Sequence, residues 1–155
     1  MKRIVVCALL PFLFAPIAGA RKPQCTLRVH LEANPNDGAV FATQLRSSVT
    51  GKKIVMEKTP RISERDVIAY YPYQAADGSH GVLFKLSDHG KLALDTLSVE
   101  RRGAFLYVFV NGRPAAELQI DRRVSDGKIY VASGLTQNDL ALMKKDWRLM
   151  GQRKK

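Results

Sequence analysis

The stretch VASGLTQNDLALM (131–143) has the residue order in this chain that most resembles a catalytic or phosphate-binding loop. A β-type run meets Ser133 and Gly134, and a helix start follows at Thr136. A phosphate-binding loop needs several successive backbone N–H groups, hence more glycines than this stretch has. A nucleophile elbow needs G-x-S-x-G, and Ser133 has only the glycine that follows it. We therefore expect Gly134 to be a structural joint of the fold.

The histidines, the cysteine and the carboxylates also lack catalytic spacing. Nothing singles out a Cys-His pair, and the three histidines His30, His80 and His89 form no HxxxH, HExxH or Cys/His cluster. The carboxylates at predicted turns and helix starts suit local hydrogen bonds to the backbone. They are Asp77, Asp88, Asp121, Asp126 and Asp139. The sequence thus predicts no enzymatic activity, no cofactor and no metal.

The first 20 residues predict export. A basic start, an apolar run over 4–17 and small residues at 18–20 match a secretory signal peptide. We expect a signal peptide over 1–20, one domain over 21–150 and a basic tail over 151–155, in the periplasm or outside the cell. An uncleaved anchor is the alternative, because two basic residues follow the apolar run directly. Cys25 would be the only cysteine left, so no intramolecular disulfide is predicted.

Basic residues form the second kind of candidate site. The chain has 25 Lys+Arg against 14 Asp+Glu, a net charge of +11. A solvated helix face is one explanation of the basic residues near the end. The other is a binding surface for an anionic partner or membrane surface. The candidate binding residues are Lys144, Lys145, Arg148, Arg153, Lys154 and Lys155. Nucleic acid is not expected as a partner, since the leader directs the chain away from most of it, and the oligomeric state stays open.

The strands that must position these residues are marked by alternation and by turn signals. Asn111-Gly112, between two β-type runs over 105–120, is the preferred pair for a type I′ hairpin. Residues 39–50 are weakly patterned and predict an irregular segment. The other predicted strands cover 26–33, 52–58, 67–73, 82–86 and 129–133.

Two helices are predicted among these strands. The first begins at Ser87 or Asp88, runs to about Arg102, and is followed by a C-cap glycine at Gly103. The second begins at Thr136, with Asp139 in capping-box spacing. Its apolar stripe consists of Leu140, Met143, Trp147 and Met150. The fold class is therefore α+β: a mostly antiparallel sheet with two main helices on one face, ferredoxin-like in outline.

Four segments in this order resemble a known family. VMEKTPRISERDV (55–67), VLFKLSDHGKLAL (82–94), FLYVFVNGRPAAELQI (105–120) and IYVASGLTQNDL (129–140) are similar to the head subdomain of the first large periplasmic domain of SecD, the protein-export membrane protein. The family's [ND]-G hairpin and its strand–glycine–helix joint correspond here to a set of structural residues. These are Asn111, Gly112, Gly134, Thr136 and Asp139.

The resemblance implies a function in handling polypeptides, without a catalytic residue. The family's proteins also carry a multi-span membrane part and a base subdomain, and a stand-alone copy without them is expected here. We expect an exported, non-enzymatic module that contacts polypeptides or envelope proteins through its sheet face or the edge near Pro114. The alternative is a basic protein that binds anionic lipid or polymer at the cell envelope.

Overall fold

Ten strands and two helices make up residues 22–152, the part of the chain that this computed structural model describes. The strands are β1 Leu27–Leu31, β2 Ala42–Arg46, β3 Lys53–Glu57, β4 Ile62–Ser63, β5 Val67–Gln74, β6 His80–Leu86, β7 Phe105–Val110, β8 Arg113–Gln119, β9 Lys128–Leu135 and β10 Arg148–Leu149. The helices are α1 Asp88–Glu100 and α2 Gln137–Asp146, and a short 3-10 turn covers Glu64–Asp66. The predicted α+β class is confirmed.

The strands are divided between two sheets and a ribbon, whereas the sequence suggested one sheet. The first sheet has the order β4-β1-β7-β8 and the second has the order β10-β5-β6-β9. Strand β2 pairs with β3 to form the ribbon. All named pairings are antiparallel except that of β10 with β5. The predicted β-α-β-β order is present in β6-α1-β7-β8, but α1 joins one sheet to the other.

Both sheets direct their inner faces into one apolar core. Leu94 and Leu97 of α1 are buried there, and Met143 of α2 is fully buried. The Trp147 ring meets the Phe84 ring edge-on, with centroids 5.8 Å apart. Each such side chain stabilises the fold by roughly 1.5–3 kcal/mol when fully buried. The sheets contribute Leu27, Val29, Leu31, Val82, Leu106, Val108, Val110, Ile129 and Val131.

Helix α1 begins where the sequence predicted and ends slightly earlier. The hydroxyl of Ser87 accepts a hydrogen bond from the N–H of Gly90 at 3.3 Å, which caps the first turn. The helix ends at Glu100 instead of Arg102. Gly103 has φ +89°, and its N–H donates to Ile120 at 2.8 Å, so this glycine turns the chain towards β7.

Helix α2 is shorter than its apolar stripe predicts. It ends at Asp146, and Trp147 already has extended backbone angles (φ −125°, ψ 151°). Arg148 and Leu149 form β10, and the N–H of Met150 donates to the carbonyl of Tyr70 at 2.9 Å. The prediction of a helical stripe through Met150 is therefore wrong, because pairing with β5 satisfies backbone groups that another helical turn would have used. Neither helix among residues 22–152 is long and apolar enough to cross a membrane.

The segment 39–50 is also more regular than its sequence predicts. It contains β2, whose ladder with β3 runs from the Ala42–Glu57 pair to the Arg46–Lys53 pair. Alternation is weak in β2 because only Ala42 is buried there. The prediction of an irregular segment is therefore wrong for this strand.

The two glycine joints differ from each other. Asn111 and Gly112 have φ values of 50° and 75°, which confirms the type I′ turn between β7 and β8. Gly134, with φ +88°, lies inside β9, which continues to Leu135 past a register shift relative to β6. The strand therefore does not end at Ser133 as the sequence suggested, and Gly134 belongs to a bulge before the helix.

Candidate functional site: the open face of the second sheet

The outer face of the second sheet carries a row of apolar and aromatic side chains. Cross-strand partners lie on the same face of a sheet. Tyr71 of β5 pairs with Leu83 of β6, and Leu83 pairs with Tyr130 of β9. Tyr71 is 54% exposed and Tyr130 is 53% exposed, although both lie in the middle of strands. We call Tyr71, Leu83 and Tyr130 the tyrosine row, and the outer face of β5, β6 and β9 the open face.

A third tyrosine stabilises this face. The ring of Tyr73 lies across Gly81, its partner in β6, where a Cβ atom would overlap the ring. Its hydroxyl donates to the carbonyls of Val131 at 2.7 Å and Ala132 at 3.0 Å. The ring stacks on Tyr130 with a 5.5 Å centroid separation and a 6° interplanar angle. Burial raises the pKa of Tyr73, and the neighbouring Tyr130 raises it further, so this hydroxyl stays protonated and keeps donating.

Basic side chains form a second row beside the first. Ala69 pairs with Arg148 of β10 on one side and with Lys85 of β6 on the other. Lys85 in turn pairs with Lys128 of β9. Lys128 lies 3.5 Å from an oxygen of Asp126, while no carboxylate of residues 22–152 lies within 4.0 Å of the charged groups of Lys85 or Arg148. We call Arg148, Lys85 and Lys128 the basic row.

A groove of about 590 Å³ continues the open face beyond Tyr130. Leu118 of β8 and Val124 of the following loop give it apolar walls, and its charged lining includes Arg122 as well as Asp121 and Asp126. Arg123 also lines it, but its guanidinium is held by Asp95 at 2.6 and 2.8 Å. The open face therefore combines flat aromatic surface with positive charge.

The outer face of the first sheet is covered. The ribbon lies over it: His30 makes a 2.8 Å hydrogen bond between its Nδ1 and the carbonyl of Glu57. The hydroxyl of Ser47 donates to the carboxylate of Glu117 at 2.9 Å, and the N–H of Ser48 donates to it at 3.1 Å. Tyr107 is only 4% exposed, and burial raises its pKa to about 12. We call this surface the covered face.

Asn111, Thr136 and Asp139, three of the predicted structural residues, meet at one end of the first sheet, whereas Gly134 lies in β9 of the second sheet. Asp139 is buried and accepts hydrogen bonds from Asn111 Nδ2 at 2.7 Å, Arg113 at 2.5 Å and the Thr136 hydroxyl at 2.7 Å. Burial alone raises the pKa of Asp139, but the bonds from Thr136, Asn111 and Arg113 outweigh it and lower the pKa to about 2. The tip of the β7–β8 hairpin, where Gly112 sits exposed, is thereby fixed to the start of α2. The side chains of Asn111, Arg113, Thr136 and Asp139 are thus joined in one hydrogen-bonded cluster.

Cys25 lies next to this cluster. It is fully buried, and desolvation together with Asp139 and Asp146 raises its pKa to about 12. Its backbone N–H donates to Asp146 at 2.7 Å, and the neighbouring Thr26 N–H donates to Asn111 at 3.0 Å. A thiol that is buried and protonated is not a nucleophile at neutral pH.

The histidines are not gathered into a site. His89 is exposed, and its Nδ1 lies 2.7 Å from Asp66, whereas His30 packs edge-on against Phe109 under the ribbon. Burial raises the pKa of Asp66, but hydrogen bonds from Ser63 and His89 outweigh it and lower the pKa. No group of three or more potential metal ligands occurs among residues 22–152.

The predicted basic residues are only partly brought together. Lys144 and Lys145, in the last turn of α2, and Arg148, in β10, are all exposed. Arg153, Lys154 and Lys155 lie outside the described residues. The sequence did not point to Lys85, Lys128 or the three tyrosines. Their alternation within predicted strands was a visible signal, but it did not say which face would stay uncovered.

The fold and the site thus define the class of this protein. It is an α+β domain in which one sheet face is covered and the other is open. Two solved structures of SecDF share this fold. One, described as a membrane component that enhances protein export, has a TM-score of 0.54 and 14% identity, over 84% of this chain and 69% of that chain. The other, SecDF in a super-membrane-facing form, has a TM-score of 0.56 and 14% identity, over 83% of this chain and 20% of that one.

No protein-family profile and no curated protein matches the sequence. The likeness to SecDF is therefore one of fold. The SecD-like fold that the sequence motifs predicted is confirmed at that level.

Proposed function

We propose that this protein is an exported, non-enzymatic module with a SecD-head-like role, which binds polypeptides or envelope proteins outside the cytoplasmic membrane. The observation that carries the proposal is the open face: two tyrosines more than half exposed, side by side with Leu83, on a sheet whose other face forms the core. Aromatic residues are enriched at protein interfaces because they bury large areas at a small entropic cost. The fold shared with SecDF, a component that enhances protein export, supports the same proposal.

The face suits binding better than the sheet edges do. The carbonyl of Tyr70 faces away from β6 and accepts a hydrogen bond from the N–H of Met150. Residues two positions apart in a strand direct their backbone groups to the same side, so the backbone of Pro72 also faces away from β6, towards the free edge of β5. Proline has no N–H to donate, so this edge lacks a hydrogen bond that an added strand would need. Pro114, beside a register shift, has the same effect in β8. Of the two surfaces that the sequence suggested, the structure therefore favours the sheet face over the edge near Pro114.

Binding to an unfolded polypeptide tests this function. Fluorescence anisotropy of a labelled, permanently unfolded protein would be measured with the wild type and with the double variant Tyr71→Ser/Tyr130→Ser. We expect the double variant to bind at least about tenfold more weakly, because truncating buried aromatic anchors commonly costs 2 kcal/mol or more. The matched control is Leu92→Ser/Val99→Ser on α1, where the side chains are 66% and 55% exposed. Equal losses in the two double variants, or no binding by the wild type, would contradict the proposal.

A second candidate function is binding to an anionic membrane or polymer surface. It is supported by the exposure of Lys144, Lys145 and Arg148, which lie within five residues of one another in the chain. Each basic residue near an anionic lipid surface contributes about 1 kcal/mol. Neutralising these three and deleting 153–155 should weaken binding to anionic vesicles by about a hundredfold or more. Unchanged vesicle binding after these changes would exclude this candidate.

A further inference from the structure

The two rows of the open face have a fixed separation along the strands. Lys85 and Leu83 are two residues apart in β6, as are Lys128 and Tyr130 in β9. Side chains on one face of a strand repeat about every 7 Å, so the basic row lies about 7 Å from the tyrosine row. Tyr73 and Gly81 continue the apolar surface one further step beyond the tyrosine row.

An extended polypeptide lying on this face would follow the same spacing. Sheets that pack face to face in the aligned class keep their strands within about 30° of each other, and we expect an extended segment to lie on this face in the same direction. Every second side chain of such a segment points at the sheet, with a repeat of about 7 Å. A side chain at position i over the basic row therefore places the side chain at i+2 over the tyrosine row.

The positive charges of the basic row favour an acidic side chain at position i of the bound segment. No carboxylate of residues 22–152 lies within salt-bridge distance of Lys85 or Arg148. Asp126, which approaches Lys128, is more than half exposed and leaves it accessible. A carboxylate at position i would supply the missing counter-charge, and an apolar side chain at i+2 would cover the phenol rings.

We propose that the open face recognises extended polypeptide segments in which an acidic residue is followed two positions later by an apolar residue. This inference rests on the proposed function and adds the class of segment that is bound. The Tyr73 ring lies across Gly81 with its hydroxyl bonded back to β9, and Tyr130 stacks parallel to it, so this part of the face suits a flat extended chain better than insertion into a lipid layer. The i, i+2 spacing is a property of polypeptides in the strand conformation.

Two peptides of equal composition test the spacing. A labelled peptide with the repeat Ser-Glu-Thr-Leu places Glu and Leu on the same face of a strand. An isomer with the repeat Ser-Thr-Glu-Leu places them on opposite faces, with the same length and charge. We expect the first peptide to bind roughly fivefold or more tightly than its isomer, measured by fluorescence anisotropy at physiological salt.

Protein variants test the basic row. Lys85→Gln and Arg148→Gln together should weaken binding of the alternating peptide by roughly fivefold, and a lysine version of that peptide should bind least well to the wild type. Lys85→Glu should instead improve binding of the lysine peptide. Leu92→Ser on α1 is the control that should change neither. Circular dichroism melts would show that the variants are folded.

The outcomes separate this inference from the proposed function. Equal binding of the two isomers, or of acidic and lysine peptides, would overturn the inference. If unfolded polypeptides still bound through Tyr71 and Tyr130 in that case, the proposed function would remain intact. Failure of both peptides and unfolded proteins to bind would overturn both. A single-stranded oligonucleotide or an anionic vesicle that binds the open face more tightly than the alternating peptide would also overturn the inference.

Discussion

The two sheets have strands with similar alternating sequences, yet the outer face of the first is buried and that of the second is exposed. Tyr107 in β7 and Tyr130 in β9 both occupy outward positions in strands whose inward neighbours form the core. Tyr107 is 4% exposed under the ribbon, and Tyr130 is 53% exposed. The exposure of an outward side chain in this fold therefore depends on whether another element lies over its strand. The ribbon lies over the first sheet and buries Tyr107.

Charged groups follow the same division. At the end of the first sheet, Asp139 is buried and paired with several donors, and on its covered face Glu117 accepts from Ser47 and Ser48. On the second sheet, Lys85 and Arg148 are exposed, and no described carboxylate pairs with them. The first sheet uses its polar groups to hold the fold together, whereas the second leaves them accessible.

The largest expected effect comes from truncating the matched tyrosines. Tyr107→Ala should lower the free energy of unfolding by about 3 kcal/mol, because it leaves a cavity under the ribbon. Tyr130→Ala should lower it by less than about 1 kcal/mol, because half of this side chain is already in water. Urea denaturation of both variants measures the difference. Equal losses would break the distinction between a covered and an open face.

The next effect concerns acid. The pKa of Asp139 is about 2 in the folded protein, below its usual 3.8, so its ionised form contributes stability that is present above about pH 4 and lost as the pH falls towards 2. Asp139→Asn should therefore cost about 2 kcal/mol at pH 7 and remove part of the acid dependence in that window. Denaturation curves between pH 2 and 7 measure this, with the exposed Asp126→Asn as the control. Identical pH profiles for wild type and Asp139→Asn would contradict it.

A smaller effect is expected in alkali. The pKa of Cys25 rises from 9.0 to about 12 on folding, so the contribution of its protonated thiol is complete below pH 9 and is lost as the pH rises towards 12. The wild type should lose about 1 kcal/mol more than Cys25→Ala between pH 8 and pH 9.5. Urea denaturation at the two pH values measures the difference. A parallel loss in both proteins would contradict a raised pKa of this thiol in the folded state.

The smallest effect comes from neutralising side chains on the two outer faces. Lys85→Gln and Arg148→Gln should each change the free energy of unfolding by less than about 0.5 kcal/mol, because these cations are exposed. Glu117→Gln should cost about 1 kcal/mol, because it weakens the acceptor for Ser47 and Ser48. Chemical denaturation at neutral pH distinguishes them. A larger loss for Lys85→Gln than for Glu117→Gln would reverse the assignment of the two faces.

The sequence predicted turns and helix starts well, because these depend on residues that are close together in the chain. The Asn111-Gly112 turn, the start of α1 at Ser87 and the capping box of Thr136 with Asp139 all depend on residues within a few positions of one another. The predictions failed where a distant partner decides. Strand β2 forms because β3 is there to pair with it, and α2 stops at Asp146 because the edge of β5 takes the following residues into β10.

The candidate site shows the same limit. The sequence directed attention to the basic residues from Lys144 onward. Of those within residues 22–152, Arg148 lies in the basic row, where the parallel pairing with Ala69 places it. Lys85 and Lys128 are far from it in sequence and become its neighbours through three strand pairings. The tyrosines alternated visibly, but alternation does not say which of two faces another element will cover.

The sequence by itself determined the α+β class, the turn chemistry, the buried inward residues and the absence of a recognisable catalytic motif, because these depend on short-range spacing and hydrophobic period. Only the tertiary structure decided that the ribbon covers one sheet, that the other stays open, and that Asp139 joins the tip of the β7–β8 hairpin to α2. These features depend on contacts between residues distant in the chain, whose free energy is realised only when the whole domain has folded.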